Sequence, residues 1–393
     1  MTKQVIGESY GKQILRTAFA GWGAKIGLAW VLLLAFVACF APLLANSMPL
    51  LVSQDGQLSM PIVRYLKAED LALIVAFPLS LVLWRLPITL SVKLWVLAGM
   101  VMLSLALGFG LLSPPKTIVY EQFRENIAAG VYDWQIMPPI PYSPSDYLRD
   151  FSNTILQAPT LSTEYPHIMG TDSTGSDVAS RMVHASRVAL SIGFLATGIS
   201  MVIGIMIGGQ MGYFAGRFDM VGMRLVEIFE AIPVLFLLLA FVAFFGRSVY
   251  IIMIIIGITG WSGYARYVRA EFLKLRKQDY VQAAIASGLP LRSILFRHML
   301  PNGIAPVLVV ASFGIASAIL TEATLSFLGL GPVEAPSWGG MLNEAVKSSV
   351  FNWWMAVFPG GAIFLTVFSY NLMGEALRDA VDPQLARNAG AVS

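Results

Sequence analysis

Long apolar runs of helical length constrain this chain more than any other feature. Crossing the hydrocarbon core of a bilayer takes about 20 apolar helical residues, and eight stretches approach or meet that measure: 24–45, 70–87, 92–113, 188–211, 223–245, 249–268, 304–327 and 353–373. Composition agrees, since 56% of the 393 residues are hydrophobic, 12% are charged and mean hydropathy is +0.70, values that put most of the surface in lipid. The expectation is an all-α polytopic membrane protein of about eight helices. The second stretch is the weakest: Leu71 to Leu83 is uniformly apolar, but Trp84, Arg85 and Pro87 cut it short, and a re-entrant or interfacial helix is the alternative there.

Orientation follows from the basic residues, which collect on the cytoplasmic side of membrane proteins. With the N-terminus inside, 16 of the 26 Lys and Arg residues are cytoplasmic, among them Lys3, Lys12, Arg85, Lys93, Arg269, Arg292, Arg297 and Arg387. Thirteen of the 23 acidic residues fall outside, Asp70, Glu164, Asp172, Asp177 and Glu344 among them. Both termini are therefore expected in the cytoplasm. Phe36 to Cys39 faintly resembles a lipoprotein cleavage box, but the apolar run continues to Leu44, so an uncleaved first span is expected. Cys39 is the only cysteine and reads as an inert core thiol.

By chain order the expected parts are an N-terminus with the first span (1–45), an outer loop with a hairpin of two spans (46–113), an extracytoplasmic segment (114–187), a five-span core (188–373) and a tail (374–393). The cluster Pro138, Pro139, Pro141 forbids a helix across it, so an extended outer segment is expected. Glycines 204, 208, 212 and 216 recur every four residues, a groove in which another helix backbone can approach closely. Pro233 and Pro359 lie within spans and are candidate kink sites. Glu322, in AILTEATLSF, is the acidic residue placed deepest in a span. Charge at that depth usually faces protein or a water-filled path, so Glu322 reads either as a pathway or gating residue, with Pro233 as a companion, or as a buried polar partner. Glu227 and Glu230 lie one turn apart within reach of Arg224 and read as structural. No P-loop, HExxH, cysteine–histidine cluster or serine-hydrolase elbow occurs, and His167, His184 and His298 have no ligand spacing, so no metal, cofactor or catalytic residue is expected on this chain.

Against this apolar background the loop 271–303 stands out, above all QAAIASGLPLRSILFRHMLPN at 282–302. Good helix formers run to Ser287, Gly288 breaks the helix, Pro290 can open the next, and Pro301 is expected to stop it. Two short helices joined at a glycine make a bent knob. Ala283, Ala284 and Ala286 are small enough to enter a partner's cleft, and Arg292, Arg297 and His298 offer charge for its rim. The alternative is an amphipathic hairpin lying on lipid headgroups.

Gln282-Ala283-Ala284, Gly288 and His298-Met299-Leu300-Pro301 resemble the EAA-type loop of ABC importer permeases. GTDSTGSDVASRMVHASRVALSIG (170–193), SFLGLGPVEAPSWGGML (326–342) and NLMGEALRDAVDPQL (371–385) are similar to motifs of the dipeptide, oligopeptide and nickel importer permeases, specifically their C-type subunit. The resemblance implies the transmembrane fold of a type I ABC importer in the bacterial inner membrane. It also implies a homologous B-type permease partner, two separate ATPase subunits that bind ATP and Mg and dock on the 271–303 loop, and an extracytoplasmic binding protein that delivers peptide. That protein would meet segments 114–187 and 329–352, with Trp338 and Trp353 as interfacial anchors. Membrane lipid is the remaining partner; nucleic acid is not one. The chain departs from the family in two places: Gln282 stands where the family has glutamate, and the 70–113 hairpin is extra. Residues 46–63 resemble the branch associated with microcin C and larger peptides. The competing functional readings are a nickel or other small-solute permease and a self-sufficient transporter built on Glu322; a membrane-embedded enzyme has no catalytic constellation to rest on.

Overall fold

The computed structural model describes residues 14, 16–115, 118–151, 154–161 and 166–381. Lys3, Lys12, Glu164, Arg387 and most of the expected tail lie outside the described residues. Among the described residues thirteen helices of eight or more residues carry the fold: α1 Trp22–Cys39, α2 Ala68–Arg85, α3 Leu90–Leu111, α4 Glu121–Ala128, α5 Val178–Phe214, α6 Gly216–Ala231, α7 Val234–Phe245, α8 Val249–Thr259, α9 Trp261–Leu275, α10 Asp279–Ala286, α11 Leu291–Phe327, α12 Trp338–Lys347 and α13 Trp353–Val381. Contacts divide the chain into two compact units, one of residues 1–31, 191–334 and 362–393, the other of 32–190 and 335–361.

Among the described residues six helical segments are long and apolar enough to cross a membrane: α1, α3, α5, Val249–Leu275 (α8 with α9), α11 and α13. The expected span at 223–245 is broken. Helices α6 and α7 meet at 77°, because Pro233 has no amide hydrogen to donate and pushes Ile232 into an extended conformation (φ −80°, ψ 122°). As a bent pair they make a seventh span. Helix α2 does form over the weakest stretch, but Glu69, Asp70 and Arg85 at its ends keep it outside that apolar set. Helix α13 runs through Pro359. Helix α5 begins ten residues before the expected span, at Val178, carrying Arg181, His184 and Arg187 with it.

In the first unit the glycine row of α5 receives α9. A β-carbon at Gly204 would strike Tyr264, one at Gly208 the carbonyl of Ala265, and one at Gly212 would lie 2.7 Å from the carbonyl of Arg269. The fourth glycine, Gly216, faces open space and instead turns the chain into α6 with φ +57°. Helix α1 packs on α13 in the same manner: a side chain at Gly27 would come within 2.8 Å of the Ser369 carbonyl, and Trp30 Nε1 donates to Thr366 Oγ1 at 3.1 Å.

The second unit holds a small antiparallel sheet absent from the all-helical expectation: β1 Leu51–Gln54, β2 Gln57–Ser59 and β3 Trp134–Ile136, in the order β2-β1-β3. Asp55 and Gly56 make the hairpin turn with φ of 52° and 71°. The stretch around Pro138 to Pro141 is extended, as its prolines require, whereas α4 before it is helical. Arg124 of α4 binds Asp146 and Asp150, each at 2.6 Å; burial alone would lower its pKa, but the two carboxylates together outweigh that and hold it above the usual arginine value. Asp146 also accepts from Ser47 Oγ at 2.6 Å, so the segments on either side of the α2–α3 hairpin are tied by a shared carboxylate.

Because α9 backbone occupies the α5 groove, Gly208→Val overfills it. The expected cost is roughly 1–3 kcal/mol, read as a lower unfolding temperature in detergent, while Gly99→Val on α3, where nothing lies within 4 Å, leaves that temperature unchanged.

Candidate functional site

The loop between α9 and α11 is built by local signals. Helix α10 opens at Asp279 after an extended Gln278 and buries Val281 and Ala284. Gly288 closes it with φ +69°; its amide donates to Ile285 O at 3.0 Å, and that of Leu289 donates to Ala284 O at 3.3 Å. This is a Schellman-like end, in which only glycine is unstrained. Pro290 then caps α11 in an extended conformation.

Pro301 does not stop the helix. Residues Ile294–Met299 form a π-helical stretch that passes directly into the long α-helix from Leu300. A proline ring inside an α-helix clashes with the carbonyl four residues back, and the wider π turn relieves that crowding. The knob is thus one short helix and the first turns of a 37-residue one.

Of the residues singled out from sequence, Gln282, Ala283, Gly288, Arg292, Arg297 and Pro301 are exposed and His298 is half-buried. Ala284 is not available to a partner. It packs inside with Val281, Ile294, Leu295 and Met299 against Phe272 and Leu275, because the period of α10 turns it to the same face as Val281. Gln282 Nε2 donates to the Arg276 carbonyl at 2.7 Å, tying α10 to the end of α9. An ionised glutamate can only accept hydrogen bonds, so glutamine makes here a bond that the family's usual residue cannot. Pro290, Arg292, Ser293, Phe296, Arg297 and Pro301 line an open hollow. Leu289, Leu291 and Phe296 are between 37% and 43% exposed, giving an apolar surface edged by two guanidinium groups. Sequence reasoning missed Phe296; its place opposite the inward Ile294, Leu295 and Met299 is the helical-period signal that marks it. Tyr280, at the edge of the loop, has its phenol pKa raised by burial and by the Glu271 carboxylate, so it stays a neutral hydrogen-bonding group.

The two residues assigned to a pathway are not brought together. Glu322 is 2% exposed and accepts from Ser326 Oγ at 2.5 Å, one turn along α11. The chain folds back beside this pair: Gly329 ends α11 with φ +83° and Gly331 has no room for a side chain against Ser326. Pro233 sits at the α6–α7 bend. Along α6, Glu230 next to the bend pairs with Arg266, Glu227 with Arg224 at 2.5 Å, and Asp219 at the opposite end with Arg269 at 2.6 Å.

Residues of the 170–193 motif, with Trp338 of the 326–342 motif and with Glu344 and Trp354 beyond it, make a polar network in the second unit. Arg181 binds Asp172 and grips Glu344 of α12 with two bonds of 2.6 and 2.7 Å. Asp177 caps α5 through the Ser180 amide at 2.7 Å and holds buried His167 at 2.9 Å. Trp338, expected at an interface, is 3% exposed, and its Nε1 donates to Met182 O at 3.3 Å; Trp353 is 48% exposed. Trp354 donates to Thr171 O at 3.0 Å across Gly170, where a β-carbon would collide with the indole. Among the described residues no cluster of three or more His, Cys, Asp or Glu is arranged for a metal ion.

Two outcomes test these contacts. Arg181→Met strands two carboxylates, one of them buried, and is expected to cost roughly 3–5 kcal/mol, measured by thermal unfolding; Glu344→Gln, at a more exposed partner, costs less. Gln282→Glu removes the donor to Arg276 O, so amide exchange across 276–288 speeds up while exchange in α5 stays unchanged.

A family model described as the binding-protein-dependent transport system inner membrane component matches residues 200–387. The oligopeptide transport system permease protein OppC of Haemophilus influenzae is 38% identical over 247 residues, 63% of this chain and 77% of that protein. The dipeptide transport system permease protein DppC of Alkalihalophilus pseudofirmus is 36% identical over 242 residues, 61% of this chain and 78% of that protein. The glutathione transport system permease protein GsiD of Pectobacterium atrosepticum is 39% identical over 220 residues, 56% and 73% of the two chains. A solved chain of the inward-facing MetNI methionine ABC transporter overlaps 51% of this chain and 96% of its own at TM-score 0.43 and 17% identity, which carries no weight in the assignment. With over a third of residues identical across three quarters of such relatives, this chain belongs to the family of binding-protein-dependent transport system inner membrane components and is a multi-pass permease subunit of an ABC importer.

Proposed function

We propose that this permease carries peptides, that its N- and C-termini are cytoplasmic, and that it works beside a homologous B-type permease. Two ATPase subunits, which hold the ATP and Mg, dock on the α10–α11 knob, and an extracytoplasmic binding protein delivers cargo to the other side. Peptide is favoured as cargo because the oligopeptide and dipeptide permeases are among the relatives matched over most of their length. The observation that carries the docking role is the exposed surface of Gln282, Ala283, Leu289, Arg292, Phe296 and Arg297 on a knob whose inner face is fully packed.

The physical logic is one of differential binding. A conformational change needs a free-energy source that prefers one state over the other. ATP supplies that preference at the ATPases, and the knob is the part of this chain placed to feel it. Its stiffness comes from the Gly288 cap, the Gln282–Arg276 bond and the Val281–Ala284 packing. Glu322 acts in this reading as an internal polar hold on the α11 end rather than as a pathway group, and a self-sufficient transporter built on it is not favoured.

The test is uptake of labelled peptides of graded length into proteoliposomes holding the full complex. Gly288→Pro demands φ near −65° where the chain needs +69° and removes the amide bonded to Ile285 O. It is expected to lower ATP-driven uptake by roughly ten-fold or more while the protein remains in the membrane; uptake at the normal rate overturns the coupling role. Flux through this chain alone, driven by an ion gradient, overturns the importer mechanism.

A further inference from the structure

The α2–α3 hairpin lies outside the region covered by the family model, and its distribution of charge and exposure is unusual. At its base it is fixed firmly. Asp70 caps α2 through the Lys67 amide at 2.8 Å and pairs with Arg187 of α5 at 2.6 Å. A side chain at Gly108 of α3 would collide with Ala68, so the start of α2 sits beside the end of α3. Phe77 meets Phe36 and Phe40 with ring centroids 6.0 Å apart. Beyond these contacts few side chains, Leu83 and Ser104 among them, are buried, and most others of the hairpin are exposed. Leu94, Trp95 and Leu103 are 58%, 79% and 51% exposed, and at about 100° per residue they cover half the circumference of α3.

An apolar face that wide fits acyl chains, which surround a helix, better than a protein partner, which would cover one stripe. Helix α3 is one of the spanning segments, and only Leu86 to Thr89 separate it from α2. Helix α2 must therefore return through the same thickness, its charges confined to its two ends. The tip then reaches the membrane face opposite the base.

The tip has its own chemistry. Trp84 and Trp95 are 74% and 79% exposed, Arg85 is exposed, and Lys93 Nζ donates to the Trp84 carbonyl at 3.3 Å, which brings both cations to the same turn. Between Asp70 and Glu121 the sequence contains no Asp or Glu, so nothing within the hairpin neutralises them. Exposed indoles beside uncompensated cations suit the headgroup layer, where each cation near an anionic leaflet is held by attraction to lipid phosphates. We infer that the hairpin is a lipid-embedded pair of spans whose tip, through Arg85 and Lys93 with Trp84 and Trp95, binds anionic phospholipid headgroups of the cytoplasmic leaflet. The leaflet assignment rests on the proposed orientation; the headgroup preference does not.

The experiment uses the assembled transporter in nanodiscs and in sidedness-controlled vesicles. The single cysteine is moved to the tip by Cys39→Ser with Ile88→Cys and labelled with a fluorophore. Expected results are labelling by an impermeant maleimide from the cytoplasmic face only and stronger quenching by headgroup-spin-labelled phosphatidylglycerol than by the phosphatidylcholine analogue. That preference falls by roughly five-fold for each cation removed in Arg85→Gln and Lys93→Gln. Equal quenching by the two lipids, quenching by aqueous iodide alone, or shielding that needs the second permease overturns the inference. Labelling from the outer face overturns the orientation and the leaflet, and is scored separately from ATP-driven uptake.

Discussion

Inside a bilayer no water is available to satisfy a backbone amide or carbonyl, so each peptide group must be bonded within the chain. Peptide groups are bonded within the chain where the helices break as well. The α6–α7 bend at Ile232–Pro233, the α5–α6 turn at Ala215–Gly216 and the π stretch ahead of Pro301 are the three departures from straight α-helix most relevant to the site. Each comes with its own compensation: Ile232 donates to Phe229 O, Ala215 to Met211 O, and the π turns keep the helix continuous into Leu300.

Close packing then takes over where hydrophobicity has no leverage. Lipid is as apolar as leucine, so helix association relies on fit. The α5 glycines provide it by admitting the backbone of α9, and that same helix leads into the α10 knob. The position of the knob therefore depends on residues some sixty positions earlier in sequence, since Gly212 meets Arg269 and Phe272 just before α9 ends. The second unit is held differently, by charge. Arg181, Arg124 and Arg187 each bind carboxylates, and the partners Asp172, Asp146 and Asp70 are nearly buried. Ion pairs of this kind contribute position more than net stability.

What could be read from the sequence was what local rules decide. Apolar runs marked the spanning helices, the four-residue glycine period marked a close helix contact, and Gly288 marked the end of α10. Long-range pairing was hidden. The sheet joins Leu51 to Ile136, partners too far apart for any local period to announce. In sequence Trp338 reads as an interfacial anchor because indoles favour interfaces, but Met182 offers its carbonyl and the ring is buried. A proline within a helical pattern reads as a stop, but at Pro301 a π turn, a less common way of accommodating the ring, carries the helix through. Gln282 reads in sequence as a lost charge; in the structure it is a gained donor.

Helix α11 gives the knob a mechanical character. Arg292 and Arg297 lie in its first turns and Glu322 and Ser326 in its last, with 37 residues between Leu291 and Phe327, a rod of roughly 55 Å. The helix runs unbroken through Pro301, so no loop separates the knob from the Glu322–Ser326 end. The handle and the working end of any lever motion belong to a single helix.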